Sequence, residues 1–249
     1  MTADGDGGMI KLTDRLQLMA DQINNNETMA DIGTDHGFLP LYLWESGKSP
    51  KVIMTDISEP SLAKAKAAAG AYQFGSELDF RVGDGLKVLE KSEVDAVVIA
   101  GMGGLLIKDL LASDMDKTLS FGKYVFQPRN HCGTLRYWLV CNGFEITANR
   151  LVREGKFICE VITAKPPKVA EIGDIDVSEP LKPSWHGSWD FPESLIDTEG
   201  KLAEEYAGVK LQIEEKILDG IMKSSCPEKE QLKIVKSRID YFTEMHMRV

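Results

Sequence analysis

The sequence predicts an α/β protein whose mostly parallel sheet ends in an antiparallel hairpin, followed by a C-terminal helical hairpin. Three observations carry this. Short apolar runs alternate with helical stretches between residues 29 and 128, the pattern of parallel strands joined by right-handed crossovers. Residues 144–165, FEITANRLVREGKFICEVITAK, contain two β-rich runs joined by REGK, which reads as a strand hairpin. Beyond residue 200, apolar residues recur every three or four positions, first from Leu202 to Ile221 and again from Leu232 to Phe242.

Taken in order, residues 12–23 (LTDRLQLMADQI) have near-helical apolar spacing and lead into the first strand. Strands are expected over 29–33, 51–57, 78–84, 94–101 and 123–128. The clearest intervening helix covers 58–74, with Ser58 as its cap and Pro60 in its first turn. Residues 166–192, rich in Pro, Trp and Gly, form a connector without a period, and 193–245 are helical with a break at SSCPEK. The two apolar stripes and the short break between them predict an antiparallel helical hairpin. The expected units are 9–165, a connector 166–192 and a hairpin 193–249, with MTADGDGG set aside as a leader. If the stripes close on each other, 9–165 should hold its ligand without the hairpin.

A chain of 249 residues can bury one large core, or a core with a smaller attachment. Its 43% hydrophobic content and mean hydropathy of -0.18 are ordinary for a globular protein. No apolar run approaches the ~20 residues of a membrane-spanning helix, and no signal-peptide pattern opens the sequence. The four cysteines form neither CxxC nor a Cys/His cluster, so no zinc or disulfide framework is expected, and a reduced, cytoplasmic setting fits. The net charge of -10 is unevenly spread: residues 123–168 carry 8 basic and 3 acidic groups between acidic flanks. Such a block can bind phosphate whatever the total charge.

The chemistry concentrates at strand ends. In MADIGTDHGFLPLYL, Asp31-Ile32-Gly33 closes the first strand, and Gly37 follows four residues after Gly33. The second strand ends in Asp56, where a carboxylate can accept both hydroxyls of a ribose. The third ends in GDG, placing Asp84 to accept from an adenine amino group. Carboxyl ends of parallel strands are where such folds bind ligands. A dinucleotide would call for G-x-G-x-x-G, whereas this chain has G-T-D-H-G. A nucleoside without pyrophosphate fits better, and S-adenosylmethionine is the expected ligand.

After the fourth strand, AGMGG offers backbone groups and Met102. It lacks the Asn or Asp with prolines and an aromatic that would hold an exocyclic amine. That favours a ring nitrogen such as adenine N1 as acceptor, which carries a free lone pair. Gln127 and Asn130, after the fifth strand, can hydrogen-bond a base edge, or cap the helix that starts near 130. His36 can touch the ligand, orient Asp35 or accept a proton, and no second ligand shares a metal-binding spacing with it.

In this order, DIGTDHGFLP, TDIS, GDGL, IAGMGG and QPRNH resemble the bacterial TrmK-type tRNA (adenine-22-N1)-methyltransferase family over nearly the whole chain. The resemblance implies a Rossmann-like class I methyltransferase fold, S-adenosylmethionine as methyl donor and tRNA as partner, with no membrane. It implies donor contacts from Asp31, Gly33, Asp35, His36, Asp56, Ile57, Asp84, Gly85, Gly101, Met102 and Gly103. Gln127 and Asn130 are then the catalytic candidates, and Arg129, His131 and Arg136 of the basic block the tRNA-binding ones. Two positions depart from the family: Phe38 stands where tyrosine is common, and Arg129 where asparagine is. A small-molecule methyltransferase with a dimerising hairpin, and a binding protein without turnover, stay open at this level, as does the oligomeric state.

Overall fold

A computed structural model describes residues 10–74, 77–167, 186–224 and 228–248. The strands are β1 (Met29–Ile32), β2 (Val52–Asp56), β3 (Asp79–Val82), β4 (Ala96–Ala100), β5 (Lys123–Gln127), β6 (Glu145–Glu154) and β7 (Phe157–Lys165). They form one sheet in the order β3-β2-β1-β4-β5-β7-β6. All pairs are parallel except β5–β7 and β6–β7. The expected parallel sheet with an antiparallel end is therefore present.

Helices α1 (Asp14–Asp21), α2 (Phe38–Glu45) and α3 (Glu59–Ala71) cover one face, and α4 (Gly104–Ala112), α5 (Met115–Thr118) and α6 (Cys132–Cys141) the other. Successive strand residues point to opposite faces. Met29, Val52, Met54 and Val98 thus enter the core beneath α1–α3, while Ala30, Ile32, Ile53 and Val97 enter the opposite core. The helix expected over 58–74 is α3, capped by Ser58, whose hydroxyl accepts from the Ser61 N–H at 3.3 Å.

The C-terminal part comprises α7 (Ser194–Glu199), α8 (Lys201–Met222) and α9 (Lys229–Met247). Helices α8 and α9 pack on each other, with Ala203, Ala207 and Leu211 rather than the whole predicted stripe in the shared core, and the hairpin is not closed on itself. Leu151 of β6 shares a core with Phe191, Leu195, Tyr206 and Phe242, so the hairpin's base is seated on the sheet. Farther along α8, Val209, Ile213 and Ile217 of the stripe stay exposed. Most of the 166–192 connector lies outside the described residues.

Strand order reverses between β1 and β4: the chain runs outward through β2 and β3, then returns to β4 on the other side of β1. Loops leaving β1 and β4 must diverge there, which opens a crevice at the carboxyl ends.

Candidate functional site

A cavity of about 570 Å³ occupies that crevice. Ten of the eleven residues expected to hold the donor line it: Asp31, Gly33, Asp35, His36, Asp56, Ile57, Asp84, Gly85, Gly101 and Met102. The turn after β1 is tied to β2, since the Gly33 and Thr34 N–H groups both donate to the Thr55 carbonyl at 2.8 and 2.9 Å. Gly33 has φ +77°, and a Cβ there would lie 2.6 Å from Met102 Cε. The left-handed backbone favours glycine there, whereas the Met102 methyl, at the end of a flexible side chain, can shift aside. Ile57 and Leu106 are exposed at the rim and offer apolar surface to a flat ring.

The acids differ in setting. Asp31 is buried and accepts from the Thr34 hydroxyl at 2.7 Å. Burial raises its pKa to about 6 despite that bond and the nearby Arg15, and the Asp56 charge adds to the rise. Asp56 spends Oδ1 on the Ser58 N–H at 2.8 Å, and Oδ2 has no hydrogen bond among the described residues. Asp84 faces Lys87, 2.5 Å away. Asp35 is held by Lys64 at 2.7 Å and lies 3.6 Å from His36 Nε2. The His36 ring stacks on Phe38, centroids 5.7 Å apart, so the imidazole lies half exposed at the cavity mouth.

A second cavity, about 660 Å³, adjoins the first and shares Arg15, Gly101 and Arg129 with it. Gln127 and Asn130 line this second cavity and not the first. The loops after β4 and β5 are joined by backbone bonds: Gly101 N–H to the Gln127 carbonyl at 3.0 Å, Arg129 N–H to Met102 at 2.8 Å, and Gly104 N–H to Asn130 at 2.9 Å. Gln127 is buried; Arg15 Nη1 donates to its Oε1 at 3.3 Å, and its own amide donates to the Pro128 carbonyl at 3.3 Å. Arg15 also pairs with Glu154 of β6. Arg15 thus braces Gln127 where the cavities meet, a role that the helical spacing of residues 12–23 gives no sign of.

Three of the expected residues line neither cavity, and one of them, Arg136, is withdrawn as a tRNA contact. Gly103 does not line the donor cavity; it lets the β4 loop approach Asn130, whose Oδ1 would lie 2.8 Å from a Cβ there. His131, with φ +52°, begins α6 and lines neither cavity. Arg136 is only 3% exposed and is bound by Glu160, the Trp189 carbonyl and Asn149, so no phosphate can reach it. Nor does Asn130 cap α6 through its side chain. Asp190 Oδ1 accepts from the Gly133 N–H at 3.0 Å instead, and Arg238 of α9 holds the same carboxylate at 2.7 Å.

The basic block is partly neutralised: Lys123 pairs with Glu27, Arg136 with Glu160, Arg150 with Glu199 and Arg153 with Glu205. Arg129 and Lys156 meet no carboxylate among the described residues, and both line the second cavity.

A doubly wound sheet with acids at the ends of three successive strands, an apolar rim and no phosphate-cradling glycine run defines a nucleoside-binding domain of the class I methyltransferase type. The family model described as "Methyltransferase domain" matches residues 12–162. The tRNA (adenine(22)-N(1))-methyltransferase of Bacillus subtilis (strain 168) is 36% identical over 169 residues, covering 68% of each protein. A putative tRNA methyltransferase of Mycoplasma pneumoniae is 34% identical over 140 residues, covering 55% of this chain and 63% of that protein. Among solved structures, the B. subtilis M1A22 tRNA methyltransferase TrmK superposes with a TM-score of 0.79 at 30% identity, covering 95% of this chain and 99% of that one. The chain belongs to the TrmK family of methyltransferases.

Proposed function

We propose that this protein transfers a methyl group from S-adenosylmethionine to N1 of an adenine in tRNA, at position 22 as in the B. subtilis relative's name. The observation that carries this is the pair of adjoining cavities: one rimmed by strand-end acids, the other lined by Gln127, Arg129 and Asn130. In the first, Asp56 would take the ribose hydroxyls on its free oxygen, and Asp84 the adenine amino group. Ile57 and Leu106 would flank the ring, leaving Asp31 for the donor's cationic methionine end. The residues present fit such a ligand, because among the acids lining the first cavity the buried one lies at β1, while those meant for neutral hydroxyl and amino groups are solvated.

When bound, S-adenosylmethionine supplies a methyl group activated by a positively charged sulfur. The chain's part is alignment. With ribose and adenine held at β2 and β3, the β1 turn and the Gly101–Arg129 junction would be left to hold the donor's methionine end. A base entering from the second cavity meets Gln127 and Asn130, whose amides can hold its edge. Its N1 lone pair needs no prior deprotonation, so holding it in line within ~3–3.5 Å of the methyl supplies most of the acceleration. The positive charge that the donor's sulfur would give up would then rest on the methylated base.

No described helix is long and apolar enough to cross a membrane. A reduced, cytoplasmic setting, where tRNA is processed, is part of this reading. Incubating the protein with labelled donor and either tRNA or free adenosine tests it. Label should enter tRNA alone; equal transfer to both would favour a small-molecule enzyme, and none would favour a binder.

A further inference from the structure

We infer that the groove between α8 and the β6–β7 hairpin is a second nucleotide-binding site, which stacks the base adjoining the methylated adenine. This rests on the tRNA reading above. The groove is the second cavity, and its far wall carries Phe157, Val209 and Ile213, which are 64%, 44% and 47% exposed. The exposure of Val209 and Ile213 is the unexplained half of the α8 stripe, to which Phe157 of β7 adds: the sheet covers the stripe's first turns and the described residues leave the rest uncovered. Monomeric proteins rarely leave a large aromatic and two branched aliphatics together in a concave surface without a ligand.

The charge around this strip points to a nucleic acid. Arg129 and Lys156 have no carboxylate partner among the described residues, and Lys210 lies over the Tyr206 ring at 4.8 Å. The groove's two acids, Glu154 and Glu160, are consumed by Arg15 and Arg136. Apolar stacking surface edged by cations, two of them without a carboxylate partner among the described residues, is how proteins hold single-stranded nucleotides, the bases on the rings and the phosphates on the charges. The reacting base itself must lie within bonding reach of the donor in the first cavity. Phe157 and Ile213 line only the second, so they serve a neighbouring nucleotide of an unpaired segment, as expected for RNA whose target base must be exposed.

The test compares Phe157→Ala, Phe157→Tyr, Ile213→Ser, Lys156→Ala and Lys210→Ala in the full chain, using transfer RNA transcript and labelled donor. Phe157→Ala and Ile213→Ser should lower kcat/KM for tRNA about tenfold, with donor affinity and the salt dependence of RNA binding unchanged. Phe157→Tyr should restore activity to within about twofold, because every aromatic face can stack. Lys156→Ala and Lys210→Ala should each flatten the log–log salt slope by about 0.7. Parental kcat/KM in Phe157→Ala and Ile213→Ser overturns the proposal, as does an equal loss in Phe157→Tyr. Concentration-dependent dimers that Ile213→Ser abolishes, with activity intact, would assign the strip to a second copy and also overturn it. A parent that methylates no tRNA would overturn the functional reading itself, and the proposal with it.

Discussion

Asp56 and Asp31 separate two ways in which a carboxylate can serve one ligand. Asp56 sits at the end of β2 with one oxygen free, so Asp56→Ala should remove the proposed ribose contacts without opening the core. Each hydrogen bond to a charged acceptor contributes about 1.5–3 kcal/mol, so calorimetry should show donor affinity reduced tenfold or more while the melting temperature barely moves. Asp31 behaves differently, because burial holds its pKa near 6. The unfolded chain releases this proton near 3.8. Between those values the folded protein binds more protons, so this group lowers the stability of the ligand-free protein as pH rises from about 4 to about 6. A cationic ligand reverses the preference by favouring the ionised carboxylate. Donor affinity should therefore fall as pH drops below about 6, and Asp31→Asn should flatten that profile, read by titrations from pH 5 to 8.

At the scale of elements, Arg136 shows how a basic residue read from sequence as an RNA contact becomes part of the frame. On α6 it ties Glu160 of β7 and the Trp189 carbonyl, and Tyr206 of α8 donates to the same Glu160 at 3.3 Å. Removing one partner of a buried pair leaves a charge uncompensated, typically at a cost of about 3–5 kcal/mol. Arg136→Ala should accordingly fail chiefly in chemical denaturation, and Arg136→Met should be milder. The strand-end acids were legible because each closes an apolar run, and the β6–β7 hairpin because REGK separates two β-rich segments. Arg15 and Gln127 were not legible as a pair. Their meeting requires α1 to lie across the sheet so that Arg15 also reaches Glu154, 139 positions away. No local period encodes that. The α8 stripe was read correctly as apolar, but which half of it the sheet covers depends on where β6 ends.

For the whole molecule, the seating of the helical hairpin on β6 changes what a truncation should do. Deleting residues 193–249 uncovers Leu151 and strips Tyr206 from the buried Arg136–Glu160 pair. The remaining 9–165 segment should therefore lose stability, with a lower melting temperature and weaker donor binding, where stripes closed on each other would have left it unaffected. A truncated protein that melts and binds donor like the parent would show that the seating contributes little. The hairpin also walls the second cavity, so the element that completes the core borders the proposed acceptor side.

The two adjoining cavities are proposed to methylate N1 of one adenine in folded tRNA. Mass-spectrometric mapping of nucleosides and fragments from tRNA treated with the protein and S-adenosylmethionine tests it most directly. The expected result is 1-methyladenosine confined to position 22. A methyl group on an exocyclic amine, on another base, or absent altogether would contradict it.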